Sequence, residues 1–313
     1  MSVAAAPSLL AVWFRELRAK FFAASVMPVF VGAAAAYAAS GSFHLGIFAL
    51  TVLGMLLLHA GANVSNDYFD HVSGNDTANP KNSPFSGGSH VIQQGLLSPR
   101  AVLTAALVFF AAGAAIGLFL AWMVQSLFIV LLVALGLFGG YFYTAPPLRL
   151  GYSTLGVLAN GLCFGPLPAY GTYFLQTRQL DGVVLVPGLL CGVLLALVLL
   201  VNGFPDETAD RHAHKRTVVV TLGALAAAKL FRFSLLGTYL LALLGGIFWK
   251  PTLPAAVAYL LTLPLALLTL RYLALDIPDH PDRYRVNRSM ILLHLSGCAA
   301  LALGLLLSGL FFR

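Results

Sequence analysis

The sequence predicts an all-α fold: a polytopic membrane helix bundle of about nine transmembrane helices with two Asp-rich cytoplasmic loops. Three observations carry that expectation. The 313 residues are 59% hydrophobic and 9% charged, with a mean hydropathy of +0.89, whereas soluble globular domains carry roughly 25% charged residues. Most of the chain falls into apolar runs of the length that crosses a bilayer, roughly 17–25 residues. No window alternates as a strand does, and in hydrocarbon a lone segment satisfies its own amides only as a helix. A water-soluble enzyme and long disorder are thereby excluded. The net charge of +7 does not point to nucleic acid, because the basic residues sit at the ends of apolar runs.

The elements follow in order. Residues 1–11 lack a basic n-region, and Arg15, Arg18 and Lys20 come just before the first apolar run, so a cleavable signal is not expected. The expected spans are 21–40, 44–63, 101–121, 124–143, 154–175, 184–203, 219–248, 253–273 and 290–311. Lys229 and Arg232 interrupt the seventh, which is expected to begin at the interface. Segments 40–44, 121–124, 175–184 and 248–253 are short and nearly uncharged; segments 64–100, 144–153, 204–218 and 274–289 are longer and polar. Of the 18 Lys and Arg, all but Arg178, Lys250 and Arg313 lie on the side of the N-terminus and the polar loops. The positive-inside rule makes that side cytoplasmic, in what is expected to be a bacterial inner membrane, with the C-terminus outside. Cys163, Cys191 and Cys298 are far apart inside apolar runs and read as small buried filler, not as a disulfide or metal framework.

The acidic residues other than Asp181 share the cytoplasmic side, and two groups stand out. Asn63 to Asp76 leaves span two with Asn66, Asp67, Asp70 and Asp76. Asn202 to Thr217 leaves span six with Asn202, Asp206, Asp210, His214, Lys215 and Arg216. Both contain Asn-x-x-x-Asp directly after an apolar helix, and that spacing puts the two side chains on one helical face, one turn apart. Clustered carboxylates beside an apolar boundary repel one another and favour a neutralising cation. Carboxylate and amide oxygens are hard ligands suited to Mg²⁺, which commonly completes its shell with phosphate oxygens. One such motif alone is equally an acidic loop or a set of helix caps; the repeat on one membrane face argues for a diphosphate seat. Lys81, Lys215, Arg216 and Arg149 flank the acids, and Arg149 is the sole charge of its Pro-Pro loop. No His pair has the zinc-helix spacing, and His59 and His294, inside spans, read as packing or hydrogen-bonded residues.

With these motifs in view, the chain resembles the UbiA superfamily of intramembrane prenyltransferases, and within it the MenA-type branch acting on 1,4-dihydroxy-2-naphthoate. Asn63-x-x-Asn66-x-Tyr68-x-Asp70-x-x-x-Gly74-x-Asp76 is similar to that branch's first Asp-rich motif. Asn202-x-x-x-Asp206-x-x-x-Asp210, followed by Lys215-Arg216-Thr217, is similar to the second. The segment from Tyr143 to Tyr152, with Phe164-Gly-Pro-Leu167 and Gly171-Thr-Tyr173, is similar to the branch's connecting segment. The resemblance implies one transmembrane prenyltransferase domain over 1–313, acting on a polyprenyl diphosphate and an aromatic acceptor within membrane lipid, with no nucleic acid. It implies Mg²⁺–diphosphate contacts from Asn66, Asp70, Asp206 and Asp210, supported by Asp76 and Asn202. Arg149 and Lys215 would hold the diphosphate, and Tyr143 would sit near the ionising carbon, with Tyr68 and Tyr152 close by. The segment Ser86 to Ser89 fits a closing loop. Two positions depart from the branch: Val157 stands where it commonly has an acid, and His214 where it commonly has Gly.

Other classes explain less. A secondary transporter places polar residues at a repeat interface near the midplane, whereas these acids gather at one membrane face. A CDP-alcohol phosphotransferase concentrates its acids in one contiguous motif, and this chain divides them between two. Another aromatic acceptor, such as 4-hydroxybenzoate, stays open on the residues alone. No obligate protein partner and no general base are readable.

Overall fold

The computed structural model describes residues 7–41, 43–78, 88–275 and 284–311. Lys81, residues 86 and 87 of the expected closing loop and residues 276–283 of the polar segment 274–289 lie outside the described residues. Among the described residues every regular element is helical. A short α1 (Leu9–Glu16) is capped by Ser8, whose hydroxyl accepts from the Ala11 amide at 3.3 Å. Two long helices follow, α2 (Phe22–Ser40) and α3 (Leu45–Val72). Gly41 ends the first in the left-handed region, and Gly74 lets the chain reverse beyond the second. After the single turn α4 (Asn75–Ala78), Ser98 caps and Pro99 opens α5 (Pro99–Val124). The chain continues through α6 (Leu127–Tyr141), α7 (Leu155–Cys163), α8 (Pro166–Thr177) and α9 (Leu185–His212). It closes with α10 (Val218–Leu222), α11 (Ala224–Phe248), α12 (Leu253–Leu260), α13 (Leu263–Leu275) and α14 (Arg285–Phe311).

Six of these helices (α2, α3, α5, α9, α11 and α14) are long and apolar enough to cross a membrane, and α12 with α13, bent by 50°, makes a seventh. The protein is an integral membrane protein. The hydropathy expectation of unbroken spans needs correction at three places. The run 154–175 divides into α7 and α8 at Phe164–Gly165, because the residue before Pro166 is pushed out of the α region while proline is at home in a first turn. Thr262 parts α12 from α13 just before Pro264. Gly223, with φ 77°, separates α10 from α11, so the seventh run does start with a short separate helix. The run 124–143 forms α6, a helix of 15 residues.

A further correction concerns the two acidic motifs. They are not loops. Asn63 to Asp70 occupies the last turns of α3, and Asn202 to Asp210 the last turns of α9. Both helices run to 28 residues, past their apolar portions. The carboxylates therefore stand on rigid helical faces.

The bundle centres on α9, which has 61% of its apolar window buried, against 22% for α3 and α5. Leu190, Leu194, Leu197 and Val201 of α9 pack with Met290, Leu293, Leu301 and Leu305 of α14 and with Phe231 and Leu235 of α11. Smaller clusters tie the ends: Val12, Val64, Val91 and Val102 near the acidic motifs, and Leu120, Ala121, Ile129 and Leu175 at the far end. Large apolar side chains such as Leu131, Phe138, Leu240 and Leu303 point outward, as a lipid-facing surface requires. Lipid tails are as apolar as Leu, so helix association relies on close packing between small residues. The break between α7 and α8 shows it. A Cβ on Gly165 would overlap the Gly192 backbone of α9 and lie 2.8 Å from the Gly161 carbonyl. Gly165→Ala is expected to destabilise the protein by about 1–3 kcal/mol through overpacking, read as a lower unfolding temperature in detergent. Gly237→Ala on α11, where nothing lies within 4 Å, is the matched control and should not lower it.

Candidate active site

The last turns of α3 and α9 face one cavity of about 370 Å³. On α3 the spacing 63, 66, 70 keeps Asn63, Asn66 and Asp70 on one face, and on α9 the spacing 202, 206, 210 does the same for Asn202, Asp206 and Asp210. All six line the cavity, together with Asp76, Tyr143, Tyr152, Arg18 and Lys215. Beneath this polar mouth the wall turns apolar, with Met55, Leu58, Phe164, Leu195, Val198 and Leu199. Val157, where the resembled branch commonly has an acid, belongs to the wall as well.

Lys215 and Tyr152 join the two motifs. At the end of α9, His214 takes the left-handed conformation (φ 56°), the conformation for which Gly is the undemanding choice. The Lys215 amide then donates to the Asp210 carbonyl at 2.8 Å. This turn sends the Lys215 ammonium across to Asp70, with Nζ 3.7 Å from Oδ1 and 4.6 Å from the centre of the Tyr152 ring. The Tyr152 hydroxyl donates to the same Asp70 oxygen at 2.7 Å and lies 2.8 Å from the Ser73 hydroxyl. Its backbone carbonyl accepts from the Arg216 amide at 2.7 Å. Burial, and next the Asp70 charge, pushes the Tyr152 phenol well above its ordinary range. It thus remains a hydrogen-bond donor. Beyond the end of α9 the Thr217 hydroxyl donates to Asp210 at 3.2 Å, and Asn287 of α14 donates to the Asn202 oxygen at 2.8 Å.

Asp67 has another fate. At 100° around α3 from Asn66, it turns away from the cavity and pairs with Arg18. The same guanidinium nitrogen donates to the Asn66 side-chain oxygen at 2.6 Å and to the Asn63 carbonyl at 3.1 Å. With its oxygen held, Asn66 directs its amide to Asp70 at 3.2 Å. The Ser89 amide donates to the second Asp67 oxygen at 2.7 Å, and the Ser89 hydroxyl donates to buried Glu16. Burial, followed by the Asp67 charge, holds the Glu16 carboxyl above the usual carboxylate range. Sequence reasoning missed Arg18, Glu16 and Asp67 as a unit. Arg18 stands before the first span, where a basic residue reads as a topology signal, and its partners lie 45–49 positions away.

Two expected site residues are placed elsewhere. Tyr68 is not among the cavity-lining residues; it packs with Val64, Ile92 and Val102 and meets Phe69 edge-on at 5.1 Å. Arg149 does not line the cavity either, but lies 5.5 Å from the centre of the Tyr152 ring, in a turn entered through a cis Pro146–Pro147 bond.

The donor set fits a hard cation shared with an anionic ligand. Among the described residues no three His, Cys, Asp or Glu side chains converge to enclose a metal ion by themselves. Asp70 and the facing pair Asp206–Asp210 offer part of an oxygen shell, which phosphate oxygens complete in sites of this kind, whereas the Asn66 oxygen is taken by Arg18. The local charge balance also favours a cation. Burial, then Asp70 and Asp67, pushes the Asp76 carboxyl up to about 7. Gln93 donates to it at 3.1 Å.

Known proteins are similar to this chain. The model of the UbiA prenyltransferase family matches residues 25–295. The chain belongs to that family. It is a prenyltransferase. It is 31% identical to a 1,4-dihydroxy-2-naphthoate octaprenyltransferase of Mycobacterium tuberculosis, covering 71% of this chain and 73% of that protein. It is 28% identical to a 2-carboxy-1,4-naphthoquinone phytyltransferase of Synechocystis, over 77% of this chain and 75% of the relative. A solved UbiA homolog from Archaeoglobus fulgidus, bound to GPP and Mg²⁺, superposes with a TM-score of 0.64 at 16% identity, covering 93% of this chain and 99% of the other. That likeness establishes the shared fold.

The Arg18 clamp generates a prediction. Asp67 is 2% exposed and Arg18 15%, so Arg18→Ala leaves a buried carboxylate without its cation, a change that costs about 3–5 kcal/mol. The unfolding temperature should fall, and Arg18→Lys should restore only part of the loss, because the shorter side chain carries its ammonium short of the position from which one guanidinium nitrogen reaches Asn63, Asn66 and Asp67. Equal stability of the Ala variant and the wild type would refute the clamp.

Proposed function

We propose that this protein transfers a polyprenyl group from an allylic polyprenyl diphosphate to 1,4-dihydroxy-2-naphthoate, with Mg²⁺ as its metal. In this reading one domain over 1–313 makes nine passes, counting α6 and the broken pair α7–α8. It lies in a bacterial inner membrane, with the N-terminus and both acidic motifs facing the cytoplasm. The observation that carries the proposal is the meeting of two Asn-x-x-x-Asp helix ends, bridged by Lys215 and Tyr152, over a cavity that is polar at its mouth and apolar below. The acceptor is supported by the names of the relatives.

Asp70, Asp206 and Asp210 would hold Mg²⁺, with Asp76 and Asn202 supporting them, and Asn66 would join them on turning its oxygen from Arg18 toward the metal. The bound metal supplies charge neutralisation to the departing diphosphate. Lys215 adds a positive charge that moves with neither substrate, and Arg149 adds a second from its turn. The allylic C–O bond breaks with its electron pair going to diphosphate, the aromatic ring supplies the pair for the new C–C bond, and the carboxylate then leaves as CO2, its C–C electron pair restoring the aromatic ring. Tyr143 presents its ring at the wall near the ionising carbon, and Tyr68 supports the α3 face from behind. Aromatic faces stabilise cationic carbon, while the apolar wall excludes water that would otherwise capture it. The isoprenoid tail lies along the apolar wall, in the direction of lipid.

The test is a product assay by mass spectrometry on purified protein in detergent, given Mg²⁺, 1,4-dihydroxy-2-naphthoate and polyprenyl diphosphates. A prenylated, decarboxylated naphthoquinol is expected, and chelation of the metal should abolish it. Asp70→Ala should lower turnover by about 10²–10³, the scale for removing one group that stabilises developing charge. Diphosphate release with 4-hydroxybenzoate but not with the naphthoate would overturn the acceptor and keep the transferase.

A further inference from the structure

Helix α7 has two unlike faces. Leu155, Leu158 and Leu162 are exposed along one of them. Gly156, Val157, Asn160, Cys163 and Phe164 follow the other and line the cavity. The helix begins beside the acids, since Tyr152 meets Asp70 three residues before Leu155. Asn160 comes five residues into the helix, about 7–8 Å further along its axis and one turn beyond apolar Val157.

Asn160 is half-buried. Among the described residues its carboxamide neither donates nor accepts a hydrogen bond, and its oxygen and nitrogen both keep surface open to the cavity. Nearby polar groups are engaged or closed off. The Ser25 hydroxyl donates to the Phe22 carbonyl at 2.8 Å, and His294 Nε2 lies 3.2 Å from the Ala24 carbonyl. His59 shares a side-chain hydrogen bond with Asn63. The Thr144 hydroxyl lacks a partner but is sealed from the cavity. The Tyr143 hydroxyl is unpaired too among the described residues, and the charges of Asp70 and Asp210 act on it, which places it at the acidic end. An apolar residue such as Val157 would serve packing at position 160 equally well. An open carboxamide there suits a polar ligand group, which its donors and acceptor would otherwise meet only as water.

We infer that Asn160 is the subsite for the acceptor's carboxylate: a side-chain N–H donates to that group, and Oδ1 accepts from the hydroxyl beside it. The inference rests on the naphthoate reading above and deepens it. A carboxamide holds its donors and its acceptor in one plane, which matches an aromatic edge bearing adjacent carboxylate and hydroxyl groups. The carbon that carries the carboxylate is the one that forms the new C–C bond. Anchored at Asn160, that edge faces the acids, while the rest of the ring lies against Met55, Leu58 and Phe164. The neutral character of the partner matters. A guanidinium would grip the carboxylate with a charge-matched fork and so oppose its loss as CO2. The amide fixes its direction with a weaker hold. Asn160 orients the acceptor, and no covalent bond to it forms.

The experiment compares Asn160→Leu and Asn160→Ala with the wild type, each purified in detergent. Leu keeps the branched shape without the polar atoms, and Ala decides the matter if Leu overfills the wall and the variant fails to fold. Either variant should raise the KM for 1,4-dihydroxy-2-naphthoate about tenfold or more, the range for a hydrogen bond to a charged group. Calorimetric binding of a non-hydrolysable polyprenyl diphosphate with Mg²⁺ should stay within about twofold of the wild type, because that ligand makes no hydrogen bond to Asn160. Two inhibitors separate recognition from general damage to the pocket. 1-Hydroxy-2-naphthoate keeps the carboxylate and its neighbouring hydroxyl, and should lose affinity in the variants as the substrate does. 1,4-Dihydroxynaphthalene lacks the carboxylate and should lose about threefold less or better, since a hydrogen bond to a neutral group is the weaker one. Unchanged KM in the variants, or equal losses for the two inhibitors, would overturn the subsite. Failure of the transfer reading is distinct: the wild type then makes no naphthoquinol, while calorimetric naphthoate binding that weakens in the variants still supports the subsite. A wild type that binds no naphthoate would overturn both.

Discussion

Carboxylates at the edge of an apolar bundle repel one another and cannot be hydrated as they are in water. Their compensation organises the acidic end of the molecule. Asp67 is neutralised within the protein, by Arg18 and the Ser89 amide. Asp70 is only partly compensated, by Lys215 at 3.7 Å and the Tyr152 hydroxyl at 2.7 Å. The contrast separates a carboxylate paired within the protein from one that faces the cavity, although the two are three residues apart. Charges that protein groups have already paired have little to offer a ligand, and those facing the cavity retain that capacity.

The same pairings set the geometry of the chemistry. One guanidinium nitrogen of Arg18 holds the oxygen of Asn66, which leaves its amide to meet Asp70, so an N-terminal residue orients a side chain on α3. On the other side, the turn at His214 sends Lys215 from the end of α9 to the end of α3. Each acidic helix end is thus held by a residue from elsewhere in the chain. If this is the diphosphate seat proposed above, it is stiff before its ligand arrives, which favours catalysis by reducing reorganisation as charge develops.

Breaks in the helices matter as much as their continuity. Pro166 after Gly165 divides the run that hydropathy reads as one span, and the resulting α7–α8 corner lets Phe164 face His59. Tyr143, Tyr152 and Val157 reach the cavity from the turns between α6 and α7 and from α7 itself. An unbroken bundle would present only the side chains of straight helices to the interior. The corners add groups from irregular backbone, at places where that backbone is covered by protein and its polar groups are met.

The sequence by itself determined the class of the fold, because an apolar run in lipid must satisfy its amides internally and therefore forms a helix. It also determined the acidic motifs and their faces, because helical spacing places Asn66 with Asp70 and Asn202 with Asp206 and Asp210 wherever the helices lie. Their extension as helix ends, in place of loops, was not legible, since polarity ends an apolar run without ending a helix. Only the tertiary structure decided which carboxylate is paired internally and which basic groups do the pairing. Arg18, Asp67 and Glu16 come from separate elements, and Tyr152 meets Asp70 across 82 positions. Tyr68 and Arg149 show the reverse: a motif position gives a residue type at an address but not the direction of its side chain. Whether a polar side chain such as Asn160 has a partner depends on every neighbour brought to it by packing, and no local pattern of residues contains that information.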